Sequence, residues 1–145
     1  MRNPSEAVEQ HLKQLNIFCF AILSGVVIFG GVVWFLLNGG GFTPPDGIPT
    51  YFATLFNLVA LAALLKAFFL PRLFPPPAPG APEESRLDWH RKDTLLGFAL
   101  REGGAFIALV GVLLTGRISG GFAVAGLAIL AMAFAWPRVD QLQDF

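Results

Sequence analysis

Four apolar stretches, each about as long as a bilayer-spanning helix, constrain this chain more than any other feature. They cover Leu15–Leu37, Tyr51–Leu70, Leu95–Thr115 and Ile118–Trp136. The hydrocarbon core of a bilayer is about 30 Å thick and needs roughly 20 helical residues. Backbone groups in lipid must be hydrogen-bonded within their own segment, and the stretches lack the alternation of strands. The sequence therefore predicts an all-α polytopic membrane protein with four transmembrane helices.

The composition agrees with a membrane class. The chain is 54% hydrophobic and only 14% charged, whereas a soluble domain has about a quarter charged residues. Its formal net charge is zero, so no basic excess indicates a nucleic-acid partner, and the expected partner is the lipid bilayer. The single cysteine, Cys19, cannot form an internal disulfide and lies in an apolar stretch, where cysteine commonly behaves as a small hydrophobe.

Lys and Arg are unevenly divided among the connections between the stretches. The first connection, Asn38–Gly47, contains none, whereas the second contains Arg72, Arg86, Arg91 and Lys92. Because cytoplasmic loops are enriched in Lys and Arg, we expect a multi-pass inner-membrane protein with both termini in the cytoplasm. The predicted segments are a tail at 1–14, a transmembrane hairpin at 15–70, a Pro-rich and charged linker at 71–94, a second hairpin at 95–136 and a tail at 137–145.

The two predicted hairpins resemble each other weakly in sequence. Ala67–Arg72 closes the first with a Pro-Arg pair, and Ala133–Arg138 closes the second in the same way. This pattern predicts a parallel internal repeat, whose halves are related by an axis along the membrane normal. The alternative is chance likeness between apolar segments.

Small residues line one side of each helix in the second hairpin. Such residues let membrane helices approach closely, because packing rather than hydrophobicity drives helix association in lipid. The pattern predicts a compact bundle, although Ala and Gly are also simply common in membrane helices. The predicted packing residues are Gly97, Gly104, Ala108 and Gly111 in the third helix and Gly121, Ala125 and Ala128 in the fourth.

Glu102 is the only acidic residue within the four apolar stretches. Placing a charge there costs roughly 3 kcal/mol or more, so such residues commonly have a partner or a function. Ser24 and Lys66 lie at comparable depth in the first two helices, and Asn57 lies nearer the opposite face. Three interpretations stay open: a proton or cation site, an inter-helix contact such as an ion pair with Lys66, or a position near the interface because the helix begins later.

No pattern typical of catalysis or of a bound cofactor occurs in the sequence. His11 and His90 lie in polar flanks far apart along the chain, without metal-site spacing. Ser24 has no His or Lys at a helical spacing suited to a nucleophile. Gly39–Gly41 follows a helix and lacks the lysine of a phosphate-binding loop. The sequence therefore favours a non-enzymatic protein with no metal and no cofactor.

The residues around Glu102 carry a local resemblance to a known family. Ala99-Leu100-Arg101-Glu102 is followed by Leu109-Val110 and Leu113-Leu114, which resembles the carboxylate-bearing helix of rotary ATPase proteolipid subunits. The resemblance implies that Glu102 carries a translocated ion. It covers about one span of four, and the first helix lacks that family's dense glycine repeat. The acid also lies on the first helix of its hairpin instead of the second. As a whole, the chain resembles small four-span bacterial membrane proteins.

These features leave three functions open. The expected one is a non-catalytic accessory or scaffold subunit that packs against other subunits of a larger membrane complex. The first alternative is a proton- or cation-handling protein that uses Glu102 and self-associates into a homo-oligomer. The second is a membrane-embedded enzyme, or a lipid- or quinone-handling protein, which requires a cleft with convergent polar groups.

Overall fold

The computed structural model describes residues 6–69 and 74–138. Parts of the predicted tails and linker lie outside these residues, as do Leu70 and the Pro71-Arg72 end of the predicted repeat. The described residues form four helices, α1 (Glu6–Asn38), α2 (Tyr51–Phe69), α3 (Glu83–Thr115) and α4 (Ile118–Phe134).

The helices are long and apolar in the way a membrane protein requires. Three of the described helices, α1, α2 and α3, have the length and hydropathy needed to cross a bilayer. The fourth is a shorter apolar helix of 17 residues, about 25 Å long. The predicted all-α fold is therefore confirmed, and three of its four described helices are long and apolar enough to span a membrane.

Two helices extend well beyond the predicted spans. Both α1 and α3 contain 33 residues and are about 50 Å long, whereas a hydrocarbon core is about 30 Å thick. In α3 the charged segment Glu83–Asp93, which the sequence assigned to the linker at 71–94, is helical and continuous with the third apolar stretch. The segment contains no Gly or Pro, and the Lys92 ammonium lies 2.6 Å from the Asp88 carboxylate one turn away. One end of each long helix therefore extends beyond its apolar stretch.

Helix α3 forms the centre of the bundle. It packs against α1, α2 and α4, whereas α1 and α2 do not pack against each other. The first predicted hairpin is therefore not a packed helix pair, because α3 lies between its two members. The short connection between α3 and α4 is different: Gly116 adopts a left-handed backbone (φ 68°) and ends α3, and the two helices that it joins pack closely.

The core consists mainly of small and medium apolar side chains. Ala105, Ala108 and Ala128 are completely buried between the helices. Helix α1 contributes one narrow stripe that recurs about every seven residues, so most of its circumference faces outward. The stripe contains Leu12, Leu15, Cys19, Val26 and Val33.

Candidate functional site around Glu102

The Glu102 side chain turns from α3 toward α1. A Cβ built on Gly25 of α1 would lie 3.5 Å from its Oε1 atom, an ordinary van der Waals distance, so the carboxylate lies against this part of α1. Glu102 is half-buried. It makes no hydrogen bond or ion pair with any other described residue. The carboxylate is therefore held between two helices without a partner in the described part of the chain.

Lys66, the predicted ion-pair partner, lies elsewhere. Gly104 is the part of α3 that faces α2, where a Cβ would approach the Ala60 carbonyl oxygen to 3.1 Å. Glu102 is two residues away, about 200° around the helix, and faces α1 instead. Lys66 is exposed, off the face that α2 buries against the bundle. The structure therefore does not bring Lys66 and Glu102 together.

The other two polar candidates are also separate from the carboxylate. Ser24 lies in α1 beside Gly25, but no hydrogen bond joins it to Glu102. Asn57 of α2 faces Gly120 of α4, where a Cβ would lie 2.7 Å from its Nδ2 atom. Asn57 therefore belongs to the contact between α2 and α4, and the four candidate residues do not form one cluster.

Arg101, next to Glu102 in sequence, has a role that the sequence did not indicate. Its guanidinium donates a hydrogen bond to the carbonyl oxygen of Ala67, over 3.2 Å, and lies 5.9 Å from the centroid of the Phe68 ring. Ala67 belongs to the last turn of α2, where carbonyl groups lack partners within the helix. Arg101 therefore caps α2. Gly97, one turn earlier in α3, leaves space for this side chain, since a Cβ there would lie only 3.0 Å from Nη1 of Arg101.

Most of the predicted packing residues of α3 and α4 lie at helix contacts. A Cβ on Gly111 would meet the Cβ of Phe56 in α2 at 2.6 Å. A Cβ on Gly121 of α4 would collide with Val112 and would lie 2.8 Å from the Ala108 carbonyl oxygen. Gly104 and Gly111 of α3 thus meet α2, whereas Ala108 meets α4 and the predicted packing residue Gly97 faces Arg101 of its own helix. Ala125 and Ala128 are also buried.

The structure brings together two histidines that the sequence placed far apart. His11 Nε2 of α1 lies 3.5 Å from His90 Nδ1 of α3, and the ring centroids are 5.7 Å apart. His90 is buried, with 7% of its surface exposed. Both residues lie on the polar extensions of their helices. This shared position at the helix ends is the sequence feature that could have indicated their proximity. The pair joins the projecting ends of α1 and α3.

Charged side chains surround the histidine pair. His11 lies outside the apolar part of α1, and burial lowers its pKa; the nearby Arg91 lowers it further, whereas Asp88 opposes the shift. The hydrogen bond from Lys92 holds the pKa of Asp88 below its usual value.

A neighbouring cavity of about 530 Å³ is lined by His11, Asp88, Arg91, Glu83 and Glu84, among others. The described residues contain no group of three or more His, Cys, Asp or Glu able to hold a metal ion.

In comparisons with known protein families, with curated proteins and with solved structures, nothing matches this chain. The site is accordingly characterised by its geometry: an unpartnered carboxylate beside a glycine, on the helix that holds the bundle together.

Proposed function

We propose that this protein is a non-catalytic accessory or scaffold subunit that docks in the membrane against another subunit of a larger complex. The proposal rests on one observation: the other three helices do not cover all sides of α3. Helices α1 and α2 flank α3 without packing against each other. One side of the central helix is therefore left uncovered between them.

The uncovered side of α3, which we call the open face, is defined by Leu96, Gly103 and Val110. These residues are seven apart and so lie on one side of the helix. Leu96 is 37% exposed, and Gly103 and Val110 are half-buried. A Cβ on Gly103 would meet nothing within 4 Å. The middle of the open face is therefore both small and accessible.

A partner helix fits this face better than lipid alone. Exposed apolar side chains need no protein partner in a bilayer, since lipid chains are equally apolar. Association instead depends on close packing at small residues and on polar contacts between helices. Gly103 supplies the small residue, and Glu102 lies one residue away, about 100° around the helix. A donor on a partner helix would give this carboxylate the hydrogen bond that it lacks.

Affinity purification in mild detergent from cells that contain the native partners tests the proposal. Gly103→Leu fills the open face and should abolish co-purification of a stoichiometric membrane protein. Gly126→Leu is the matched control, because a Cβ on this half-buried glycine of α4 also meets nothing within 4 Å. Loss with Gly103→Leu and retention with Gly126→Leu supports the proposal. A partner retained by both variants, or absent from the wild type, contradicts it.

The unpartnered carboxylate favours a second candidate function, proton or cation handling at Glu102. An acidic residue within a span without an ion pair is able to take up and release a proton. Proton flux into liposomes that contain the purified chain tests this function. If Glu102 handles protons, the wild type should show proton flux, and Glu102→Gln should abolish it. The control variant Lys66→Gln should retain the flux. A wild type without flux contradicts it.

The proposed location is the inner membrane, with both termini in the cytoplasm. The distribution of Lys and Arg supports this orientation, because Asn38–Gly47 contains none of them. The extensions of α1 and α3 carry Lys13, Arg91 and Lys92 at the same end of the bundle as the histidine pair. In this orientation the joined helix ends project into the cytoplasm.

A further inference from the structure

Helix α2 carries two uncharged polar side chains beside its contact with α4. Thr54 and Asn57 are three residues apart and so lie on one side of the helix. A Cβ on Gly120 of α4 would lie 2.7 Å from Nδ2 of Asn57, so this glycine gives the carboxamide its space. We propose that the surface formed by Thr54, Asn57 and Gly120, which we call the amide face, binds a second copy of this chain in the membrane.

Neither polar side chain has a partner in the described part of the chain. Thr54 is exposed and Asn57 is half-buried, and neither makes a hydrogen bond with another described residue. Asn57 lies six residues after the start of α2, about 9 Å along this apolar helix. The hydrocarbon layer contains no water to satisfy such groups, and acyl chains form no hydrogen bonds. The amide face therefore gains free energy from a polar contact with another protein segment.

The chemistry of a carboxamide favours a second copy as that segment. Asn57 carries both an acceptor oxygen and a donor nitrogen, so two Asn57 side chains that face each other form two reciprocal hydrogen bonds. Copies inserted with the same orientation are related by a two-fold axis along the membrane normal, which brings Asn57 opposite itself at the same depth. The ionised carboxylate of Glu102, by contrast, only accepts hydrogen bonds and cannot pair with itself in this way.

The surroundings of Asn57 allow a second copy to approach. Gly120 is exposed, so α4 presents no side chain there, and small residues let membrane helices come close. The amide face lies between α2 and α4, whereas the open face of α3 lies between α1 and α2. A dimer through the amide face therefore leaves the open face accessible, and the inference does not rest on the proposed function.

Energy transfer between labelled copies in phosphatidylcholine liposomes tests the inference. In a Cys19→Ala background, Thr43→Cys carries the donor or acceptor dye on the exposed first connection. Transfer should rise to saturation with the protein-to-lipid ratio, above the level of random proximity. Asn57→Leu, which keeps the side-chain size, should raise the dissociation constant roughly five- to thirtyfold, as expected for polar contacts between membrane helices. Lys66→Gln is the control and should leave it unchanged, since Lys66 lies nine residues further along α2, on the opposite side of the helix.

Disulfide crosslinking with Asn57 intact locates the contact. In the Cys19→Ala background, Thr54→Cys should form a covalent dimer on oxidation with copper phenanthroline, because the two-fold axis brings this position close to its own copy. Val59 is 48% exposed and lies about 200° around the helix from Asn57, so Val59→Cys should stay monomeric. Random-level transfer in the wild type, or an unchanged dissociation constant in Asn57→Leu, overturns the inference. Equal crosslinking of the two cysteine variants overturns it as well.

Discussion

Glu102 is a half-buried carboxylate without a partner among the described residues, and this determines how its substitution should behave. A charge stripped of water costs free energy unless it is paired. Glu102→Gln removes the charge and leaves no stranded partner, so the Tm in nanodiscs should be unchanged or higher.

The double-mutant cycle with Lys66→Met tests this directly. Because the structure does not bring the two residues together, the two effects should add to within about 0.5 kcal/mol. A buried ion pair would instead make each single variant cost about 3–5 kcal/mol, with recovery in the double variant. Such recovery would show that the side-chain placement described for Lys66 is wrong.

Gly121 is the glycine most closely packed against another helix. A side chain there would collide with Val112 and the backbone of Ala108, so Gly121→Leu should destabilise the bundle by about 1–3 kcal/mol or more. Gly126→Leu, in the same helix but facing open space, should change the Tm little. Thermal melting in nanodiscs compares the two. Equal melting of both variants would mean that α4 does not pack on α3 through Gly121.

At the level of elements, the histidine pair makes the joint between α1 and α3 sensitive to pH. Two imidazoles 3.5 Å apart repel each other when both are charged. Burial and Arg91 lower the pKa of His11 in the folded state, whereas the separated helix binds a proton with the ordinary pKa of about 6.5. The state in which the two helix ends are separated thus binds more protons below this pH. The contact between α1 and α3 should therefore weaken as the pH falls below about 6.5 and be intact above it.

Spin labels at residues 7 and 87, on the two helices beside the pair, measure this effect. The dipolar broadening seen at pH 8 should decrease at pH 5. His11→Gln keeps a neutral polar side chain and should reduce the pH dependence, because the repulsion between two charged imidazoles is then absent. Broadening that is constant with pH in the wild type would contradict the described joint.

The helices themselves were largely predictable from the sequence, because an apolar stretch in lipid has few alternatives to a helix. Tyr51 and Ile118 begin α2 and α4, and Thr115 ends α3, as the apolar pattern predicted. The extension of α3 back to Glu83 was not predicted, since charge marks the edge of the apolar layer and not the end of a helix. The cap that Arg101 places on α2 was also missed, because it depends on a contact between residues 34 positions apart.

At the level of the whole molecule, the packing order could not be derived from the sequence. Chain order placed α1 beside α2, whereas α3 separates them. Apolar side chains are equally compatible with lipid and with a neighbouring helix, so composition does not identify the neighbour. For the same reason the sequence located Glu102 but not the helix that it faces. The predicted internal repeat stays a prediction.

The proposed orientation of the bundle gives a prediction about labelling. In a Cys19→Ala background, single cysteines placed in Gly40–Gly47 should react with an impermeant thiol reagent in intact cells. Cysteines placed in 76–85 should be protected until the membrane is opened. The absence of Lys and Arg from the first connection motivates this, and the reverse labelling pattern would invert the orientation.

Photo-crosslinking in native membranes tests the proposed docking face most directly. A photo-reactive side chain introduced at Leu96 or Val110, on the open face, should form a protein adduct of defined mass. The same group at Leu130 of α4, which is 55% exposed and away from that face, should form only lipid adducts. Only lipid adducts at all three positions would contradict docking of a partner on the open face. A protein adduct at Leu130 as abundant as those at Leu96 and Val110 would contradict it as well.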